Sequence, residues 1–482
     1  MYINDKILVG KNEEKEVYLL PKMANRHGLI TGASGSGKTI TLKVLAESFS
    51  RAGIPVFLVD VKGDLAGMAY EGNMDTISKR VEKLELKDFN VDKYPTAYFD
   101  TFGKLGHPIR TTVSSVGARL LSRMLDLSDT GEEVLTVVFK IASDESLELI
   151  DLKDLNSMLS YVNDKRVEYS KEYGNISPQT IASIKRAVIT LEEASGNLFF
   201  GKPDFDIRDF MQYDNRGYGY INVLDAQNLF KNPTTYVIML LWLLTTIYNE
   251  FPEVGDLDKP KLVFFFDEAH LIFSEMKDNV IKQLIGIVKL IRSKGVGLYF
   301  ISQSPSDIKD EVLSQLGNRI EHVLRAYTPK DDKAIKAAAD GFRKNPKFDT
   351  VEAIKSLGTG EALVSFQNEK GEPEIVEKVT ILPPQSRMGT ITDEERDTQI
   401  KNSRLYGKYD KLVDHESAFE KIEKINKQKE LDKQKEEKVK KETKTKKKKN
   451  TTVKRYGRRV VNKTIDRTIT KLVNMVFKGL SK

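Results

Sequence analysis

The chain has 482 residues, with 77 Lys and Arg against 70 Asp and Glu, and it contains no cysteine. This length exceeds that of one ordinary domain, so we expect two or three structural units. Without cysteine there can be no disulfide, thiolate metal site or cysteine nucleophile, which favours a cytoplasmic location. The most apolar run, 236–248, is about 13 residues long and a bilayer-crossing helix needs about 20, so we expect a buried helix there.

The net charge of +7 is unevenly distributed. Residues 401–482 contain 27 Lys and Arg against 11 Asp and Glu, a net charge of +16. Residues 1–400 are left with 50 basic and 59 acidic groups, a net charge of −9. An anionic partner recognised by bulk charge would therefore meet the C-terminal tail first.

Residues 1–109 begin with the pattern of a βαβ unit. Leu29 and Ile30 end an apolar strand, residues 42–49 have one apolar helical face, and 56–59 is an apolar run typical of a strand covered on both faces. The loop between strand and helix fits G-x-x-x-x-G-K-[ST], whose backbone N–H groups surround a polyphosphate. The sequence therefore predicts a phosphate-binding loop that opens a helix.

We predict that this loop binds the phosphates of ATP. Its lysine would reach the β and γ phosphates, and its threonine hydroxyl would bind Mg²⁺ at the positive end of the following helix. The predicted nucleotide contacts are Gly32, Ala33, Ser34, Gly35, Ser36, Gly37, Lys38, Thr39 and Ile40. A dinucleotide fingerprint is excluded because Ile40 occupies the position of its last glycine.

Charged residues follow the second strand, in the loop 60–64. They lie on the same predicted rim as the phosphate loop, and both a functional role and an ordinary polar loop remain open. Residues 110–215 then have helical periodicity and few strand signals, so we expect a helical insertion. The α/β alternation resumes over 216–385, which predicts a mainly parallel sheet built from two separated stretches of chain.

The apolar strand 262–266 ends in two carboxylates, Asp267 and Glu268. Open α/β sheets bind ligands at the carboxyl ends of their strands. We therefore predict that Asp267, with Thr39, holds the metal, and that Glu268 polarises the water that attacks the γ-phosphate.

Two further candidates flank the next strand, 298–302. Gln303 follows it and is predicted to contact the γ-phosphate or the attacking water, although a turn-capping glutamine is the alternative. Arg292 ends the preceding helix, where a cation either reaches a neighbouring subunit's γ-phosphate or stabilises the helix C-terminus. Arg319 and Arg325 are less favoured candidates for the first role.

The tail begins beyond about residue 385. Residues 386–452 are predicted to be a charged, partly disordered linker, because Lys and Glu dominate and large apolar side chains are few. Residues 453–482 are predicted to form a basic amphipathic helix, with apolar residues recurring every three or four positions from Val461 to Leu480. Docking on protein, membrane contact and nucleic-acid contact all remain open for this helix.

Four segments together resemble the HerA/FtsK group of P-loop ATPases, and they are most similar to a bacterial HerA-like family. These segments are His27 to Gly32, Asp60 to Asp64, Phe266 to His270 and Arg292 to Gln303, within a similarity running from about Ile7 to Met388. The resemblance implies a RecA-like α/β core, a homo-oligomeric ring of six subunits, and hydrolysis completed by an arginine from the neighbouring subunit, with Arg292 at the matching position.

The same resemblance implies a motor that moves double-stranded DNA. Because the phosphate loop begins at residue 32, we do not expect this sequence to contain the N-terminal β-barrel of archaeal HerA. The residues 267–270 also spell the DEAH signature of a large helicase superfamily, but no Q-R-x-G-R motif of a second motor domain follows. An ATPase that remodels proteins or acts at a membrane, as in secretion or conjugation, remains the alternative function.

Overall fold

The computed structural model describes residues 1–193, 199–229, 233–275, 278–413 and 415–479. These residues form two compact units, Met1–Ala418 and Phe419–Lys482, of which 480–482 lie outside the description. The first unit contains the sheet and all the predicted site residues. The second consists of a single long helix.

The described residues of the first unit form one sheet of twelve strands. The strands are β1 Tyr2–Ile3, β2 Lys6–Lys11, β3 Glu16–Leu19, β4 Gly28–Thr31, β5 Val56–Asp60, β6 Thr96–Phe99, β7 Ile221–Asp225, β8 Leu262–Phe266, β9 Val296–Ser302, β10 Asn318–Glu321, β11 Glu361–Ser365 and β12 Glu377–Ile381. Their order across the sheet is β1, β2, β12, β11, β10, β4, β9, β8, β5, β7, β6, and β3 pairs with β2.

The helices of the described residues are α1 Lys38–Arg51, α2 Met74–Lys83, α3 Val113–Met124, α4 Asp129–Asp144, α5 Leu152–Asp164, α6 Arg166–Tyr173, α7 Pro178–Glu193, α8 Pro233–Glu250, α9 His270–Glu275, α10 Asp278–Leu290, α11 Asp310–Leu313, α12 Pro329–Asp340, α13 Thr350–Ser356, α14 Asp393–Asn402 and α15 Ala418–Gly479. Helices α3 to α7 occur in the predicted insertion. The α/β class with a mainly parallel sheet is confirmed.

Seven adjacent strands, from β10 to β6, are parallel. Three of them precede the helical insertion and four follow it, so the two stretches of chain form one sheet. Strands β4, β9, β8, β5 and β7 are buried along their length, as parallel strands covered on both faces should be. Their carboxyl ends therefore share one edge, where the predicted site residues other than Arg292 are found.

The apolar run 236–248 forms the central part of α8, and its residues from Tyr236 to Leu244 are buried. Trp242 packs edge to face on Phe199. This matches the predicted core helix. Across the part of the chain that the structure describes, no helix combines the length and apolar character needed to cross a bilayer.

The predicted linker 386–452 differs from the structure. Its first part packs on the core, since Leu405 and Tyr409 are buried and Arg396 forms an ion pair with Asp225 at 3.5 Å. From Ala418 the chain is helical to Gly479 rather than from residue 453. Lys and Glu are good helix formers and pair one turn apart, which sequence composition alone does not distinguish from disorder. Leu480 lies outside the described residues.

Candidate active site

The phosphate loop connects β4 to α1, and its backbone geometry requires glycine. Gly32, Gly35 and Gly37 have φ angles of 149°, 74° and 119°. A Cβ atom at Gly32 would lie 2.5 Å from the Cβ of His322, which no larger residue could tolerate. The loop then enters α1 at Lys38, so the positive end of this helix faces the loop.

Lys38 lies over the loop. Its Nζ atom donates hydrogen bonds to the carbonyl oxygens of Gly32 at 2.6 Å and Ala33 at 3.0 Å. Burial lowers the pKa of Lys38, and the nearby charges of Glu268 and Asp267 oppose that lowering. A phosphate oxygen entering the loop would replace neutral carbonyl acceptors with a charged one, which makes a stronger hydrogen bond.

Two buried consecutive residues at the end of β10, Glu321 and His322, form hydrogen bonds with residues on either side of the phosphate loop. The Thr31 hydroxyl donates to Glu321 Oε2 at 2.6 Å, and burial raises the pKa of Glu321 to about 8. The His322 ring bonds Thr41 Oγ1 at 2.8 Å and the Glu361 carbonyl oxygen at 2.9 Å. Sequence analysis missed both residues because nothing local in β10 shows that it lies next to β4.

The acidic pair follows β8, which is separated from β4 by β9 alone. Thr31 is in register with Ser302 of β9, and Phe266 is in register with Phe300. The ends of β4 and β8 therefore lie about 10 Å apart across two strand spacings and are offset along β9 by two residues, about 7 Å. The structure thus brings the phosphate loop and the two acids to one edge.

Asp267 is 6% exposed, and its Oδ1 atom accepts a hydrogen bond from the Glu268 N–H at 2.9 Å. Burial and the charge of Glu268 raise the pKa of Asp267 to about 6. The residues present fit Mg²⁺, because a carboxylate and the Thr39 hydroxyl are the hard oxygen ligands this ion takes beside phosphates and water.

Glu268 occupies a strained position, with a left-handed φ of 48° that costs a non-glycine residue of the order of 1–2 kcal/mol. Its Oε1 atom lies 2.7 Å from Lys62 Nζ, and its Oε2 atom lies 3.3 Å from His270 Nδ1. Burial acts to raise the pKa of Glu268, but the hydrogen bond and charge of Lys62 hold it below its ordinary value.

Lys62 comes from the charged loop 60–64, whose role the sequence left open. Asp60 fixes that loop, since its carboxylate accepts from the N–H groups of Gly63 at 2.7 Å and Leu65 at 3.0 Å. Burial and the charge of Asp64 raise the pKa of Asp60 to about 7. The charged pattern of loop 60–64 was visible in the sequence and indicated a candidate functional loop. The contact between Lys62 and Glu268 was not visible, because it depends on β5 lying beside β8.

Gln303 is exposed directly after β9, at the same edge as the phosphate loop. It lines an open pocket of about 360 Å³ together with Ala33 and Ser34 of the loop, and with Arg325 and Tyr327. This position is consistent with contact to the end of a triphosphate chain. Of the less favoured arginines, Arg325 therefore lies near the site.

Arg292 lies at the other edge of the sheet. It precedes β9, whose seven residues span about 20 Å, whereas Gln303 follows that strand. The Arg292 Nη2 atom lies 3.4 Å from Asp256 Oδ1. Burial lowers the pKa of Arg26, and the nearby charge of Arg292 lowers it further. Arg319 donates to the carbonyl oxygens of residues 313, 316 and 341, which indicates a structural role.

The family model described as Helicase HerA-like C-terminal matches residues 5–481. The chain is 25% identical to the DNA double-strand break repair helicase HerA of Sulfurisphaera tokodaii over 74% of this chain and 66% of that protein. It is 24% identical to the protein of the same description from Sulfolobus acidocaldarius, over 74% and 65%. The chain thus spans slightly less than two thirds of these relatives.

Among solved structures, VirB4 of Thermoanaerobacter pseudethanolicus is 16% identical with a TM-score of 0.49, covering 79% of this chain and 97% of that one. The bacterial conjugative coupling protein TrwBdeltaN70 is 15% identical with a TM-score of 0.48, covering 76% and 86%. The family model covers nearly the whole chain, which confirms the resemblance drawn from the four motifs. The protein belongs to the Helicase HerA-like C-terminal family.

Proposed function

We propose that this protein is a cytoplasmic, ring-forming ATPase that hydrolyses ATP with Mg²⁺ and moves double-stranded DNA. The observation that carries the proposal is the shared sheet edge. There the phosphate loop with Lys38 and the acids Asp267 and Glu268 lie two strand spacings apart, and Gln303 directly follows the strand between them. Phosphoryl transfer depends on positioning and charge stabilisation, and this edge supplies both.

Each residue has a distinct proposed role. The loop N–H groups and Lys38 bind the phosphates, and Thr39 and Asp267 hold Mg²⁺, which would neutralise phosphate charge when bound. Glu268, oriented by Lys62, accepts a hydrogen bond from the attacking water and draws off its proton. Gln303 contacts the γ-phosphate or that water.

Arg292 is proposed to act on the neighbouring subunit. Within one subunit a full strand length separates it from the γ-phosphate side of the site. It is only half-buried, and its pairing with the exposed Asp256 leaves donors for another partner. A closed ring of identical subunits, proposed here as a hexamer, places this edge of one subunit against the loop edge of the next.

Double-stranded DNA is the proposed substrate because relatives covering 74% of the chain are described as DNA double-strand break repair helicases. The tail charge of +16 would also bind phosphates. One observation favours a second candidate, an ATPase that remodels proteins or acts at a membrane. In α15 the apolar residues Val461, Ile469 and Leu472 are 55%, 53% and 59% exposed, and a phosphate backbone would leave them in water.

The test is ATP turnover by the purified protein with and without double-stranded DNA across a salt series. Lys38→Ala should lose nucleotide binding, while Glu268→Gln should bind ATP and fail to hydrolyse it. Glu352→Gln, at a largely exposed site on α13, is the matched control and should behave as wild type. Turnover by Glu268→Gln at the wild-type rate would contradict the assignment of the base.

The substrate is identified by which of two additions, double-stranded DNA or anionic liposomes, stimulates ATP turnover. DNA-stimulated turnover that weakens with salt supports the DNA motor, because counterion release makes such binding salt-dependent. Stimulation by anionic liposomes without any response to DNA would favour the membrane alternative.

A further inference from the structure

The two halves of α15 present different surfaces to water. In residues 426–438 the only apolar side chain is that of Leu431. Opposite charges pair one turn apart in this half, Glu423 with Lys427 at 2.7 Å and Glu436 with Lys440 at 3.6 Å. A helix that is polar all round is stabilised by such pairs and bridges water between other parts of a chain. This half of α15 therefore has no apolar face to bury.

The second half of α15, from residue 458 to 475, has a continuous apolar stripe. The stripe consists of Val461, Ile469, Leu472 and Met475, which are 53–72% exposed. Because an α-helix turns about 100° per residue, these four side chains lie within about 120° of one another around the axis. A contiguous apolar surface of this kind, left uncovered on a helix, indicates contact with a protein or a membrane.

A ridge of cations lies on the opposite side of the same half-helix. The ridge consists of Arg459, Lys463, Arg467 and Lys471, which follow one another at intervals of four residues. Asp466 is the only acid among these positions. Like charges one turn apart repel each other, so the ridge weakens the helix unless an anionic surface meets it. The ridge therefore calls for an anionic partner, and the stripe calls for an apolar one.

The surface of an anionic bilayer meets both requirements at once. Apolar side chains enter the boundary between headgroups and acyl chains, about 5–10 Å deep, while long Lys and Arg side chains reach the phosphate groups. A DNA backbone would neutralise the ridge and leave the stripe in water. A second copy of the helix would cover the stripe and bring two cationic ridges together, and paired helices need complementary charges beside their apolar seam.

We propose that residues 458–475 bind the surface of a membrane that contains anionic phospholipids, with the helix axis parallel to that surface. The apolar stripe faces the acyl chains, and the cation ridge faces the headgroup phosphates and water. The charged first half of α15 precedes this anchor as a water-exposed spacer. The inference goes beyond the proposed function, because it holds whether the ATPase moves DNA or remodels protein.

The test measures co-sedimentation of the full-length chain with liposomes. Wild-type protein should bind liposomes of phosphatidylglycerol and phosphatidylcholine more than about tenfold more tightly than liposomes of phosphatidylcholine alone, and salt should weaken this binding. Leu472→Asp places a charge in the stripe and should lower the affinity about a hundredfold. Thr470→Asp adds the same charge on the polar side, and this matched control should lower it only about fivefold.

Three results would overturn the membrane anchor. Equal losses of liposome affinity in Leu472→Asp and Thr470→Asp would show that the stripe does not enter the bilayer. Wild-type protein that stays in the supernatant with anionic liposomes would also overturn it, and weaker DNA binding by Lys463→Gln would then assign the ridge to DNA. If Leu472→Asp instead changed the molar mass measured by light scattering and left liposome affinity unchanged, the stripe would pack on protein.

ATP turnover separates this inference from the proposed function. Both aspartate variants should hydrolyse ATP at the wild-type basal rate without liposomes, which verifies that they fold. A wild-type protein that binds anionic liposomes and does not hydrolyse ATP would overturn the proposed function and support the anchor.

Discussion

Arg292 and Gln303 lie at opposite ends of β9, and the length of that strand leads to a quantitative prediction about rings assembled from two kinds of variant subunit. An arginine side chain extends roughly 7 Å by its bond lengths, against about 20 Å along β9. Arg292 therefore cannot serve its own subunit's site, and Arg292→Ala rings should bind ATP and fail to hydrolyse it. Mixed with Glu268→Gln subunits, they should recover activity at interfaces where an intact glutamate meets an intact arginine.

The size of the recovery follows from ring geometry. In a closed ring with one-directional interfaces and random one-to-one mixing, about one quarter of interfaces combine both intact residues. Steady-state ATP turnover of co-assembled rings should therefore approach a quarter of the wild-type value, with mixing verified by two affinity tags. Rings of Arg292→Ala mixed with the Arg292→Ala, Glu268→Gln double variant are the matched control, because no interface has an intact arginine. Equal turnover in both mixtures would refute the trans role.

Three further predictions concern single sites and the tail. Lys62→Met should lower kcat roughly tenfold with ATP affinity nearly unchanged, because the ion pair between Lys62 and Glu268 orients that carboxylate. Lys62→Arg keeps the positive charge and should retain most activity. Equal turnover by Lys62→Met and wild type would contradict this role. Because burial raises the pKa of Glu321 to about 8 from 4.5, the unfolded chain releases a proton that the folded protein keeps, so stability should fall as pH rises through that window. The melting temperature of Glu321→Gln should rise relative to that of the wild type as the pH increases from about 4.5 to 8. A difference in melting temperature that stays constant over this range would contradict a raised pKa of Glu321. Deleting residues 419–482, which leaves the packed segment before them in place, should not change basal ATPase activity. If the tail binds DNA, the plot of log DNA affinity against log salt concentration should become less steep by about 0.9 for each lost phosphate contact. Loss of liposome binding alone would assign the tail to membranes.

The sequence by itself determined the features that are local. The phosphate loop is eight consecutive residues whose glycines and lysine act through their own backbone and side chain, so its chemistry is visible without a fold. The acids Asp267 and Glu268 are equally visible as the end of an apolar strand. Four such segments in the right order were enough to indicate the HerA-like family, and the family match confirmed it.

The tertiary structure decided everything that depends on which strands are neighbours. Lys62 meets Glu268 because β5 lies beside β8, and Glu321 meets Thr31 because β10 lies beside β4, although 290 residues separate the latter pair. Strand order is set by packing between distant segments, and a periodicity pattern carries no record of which segment a strand will pair with.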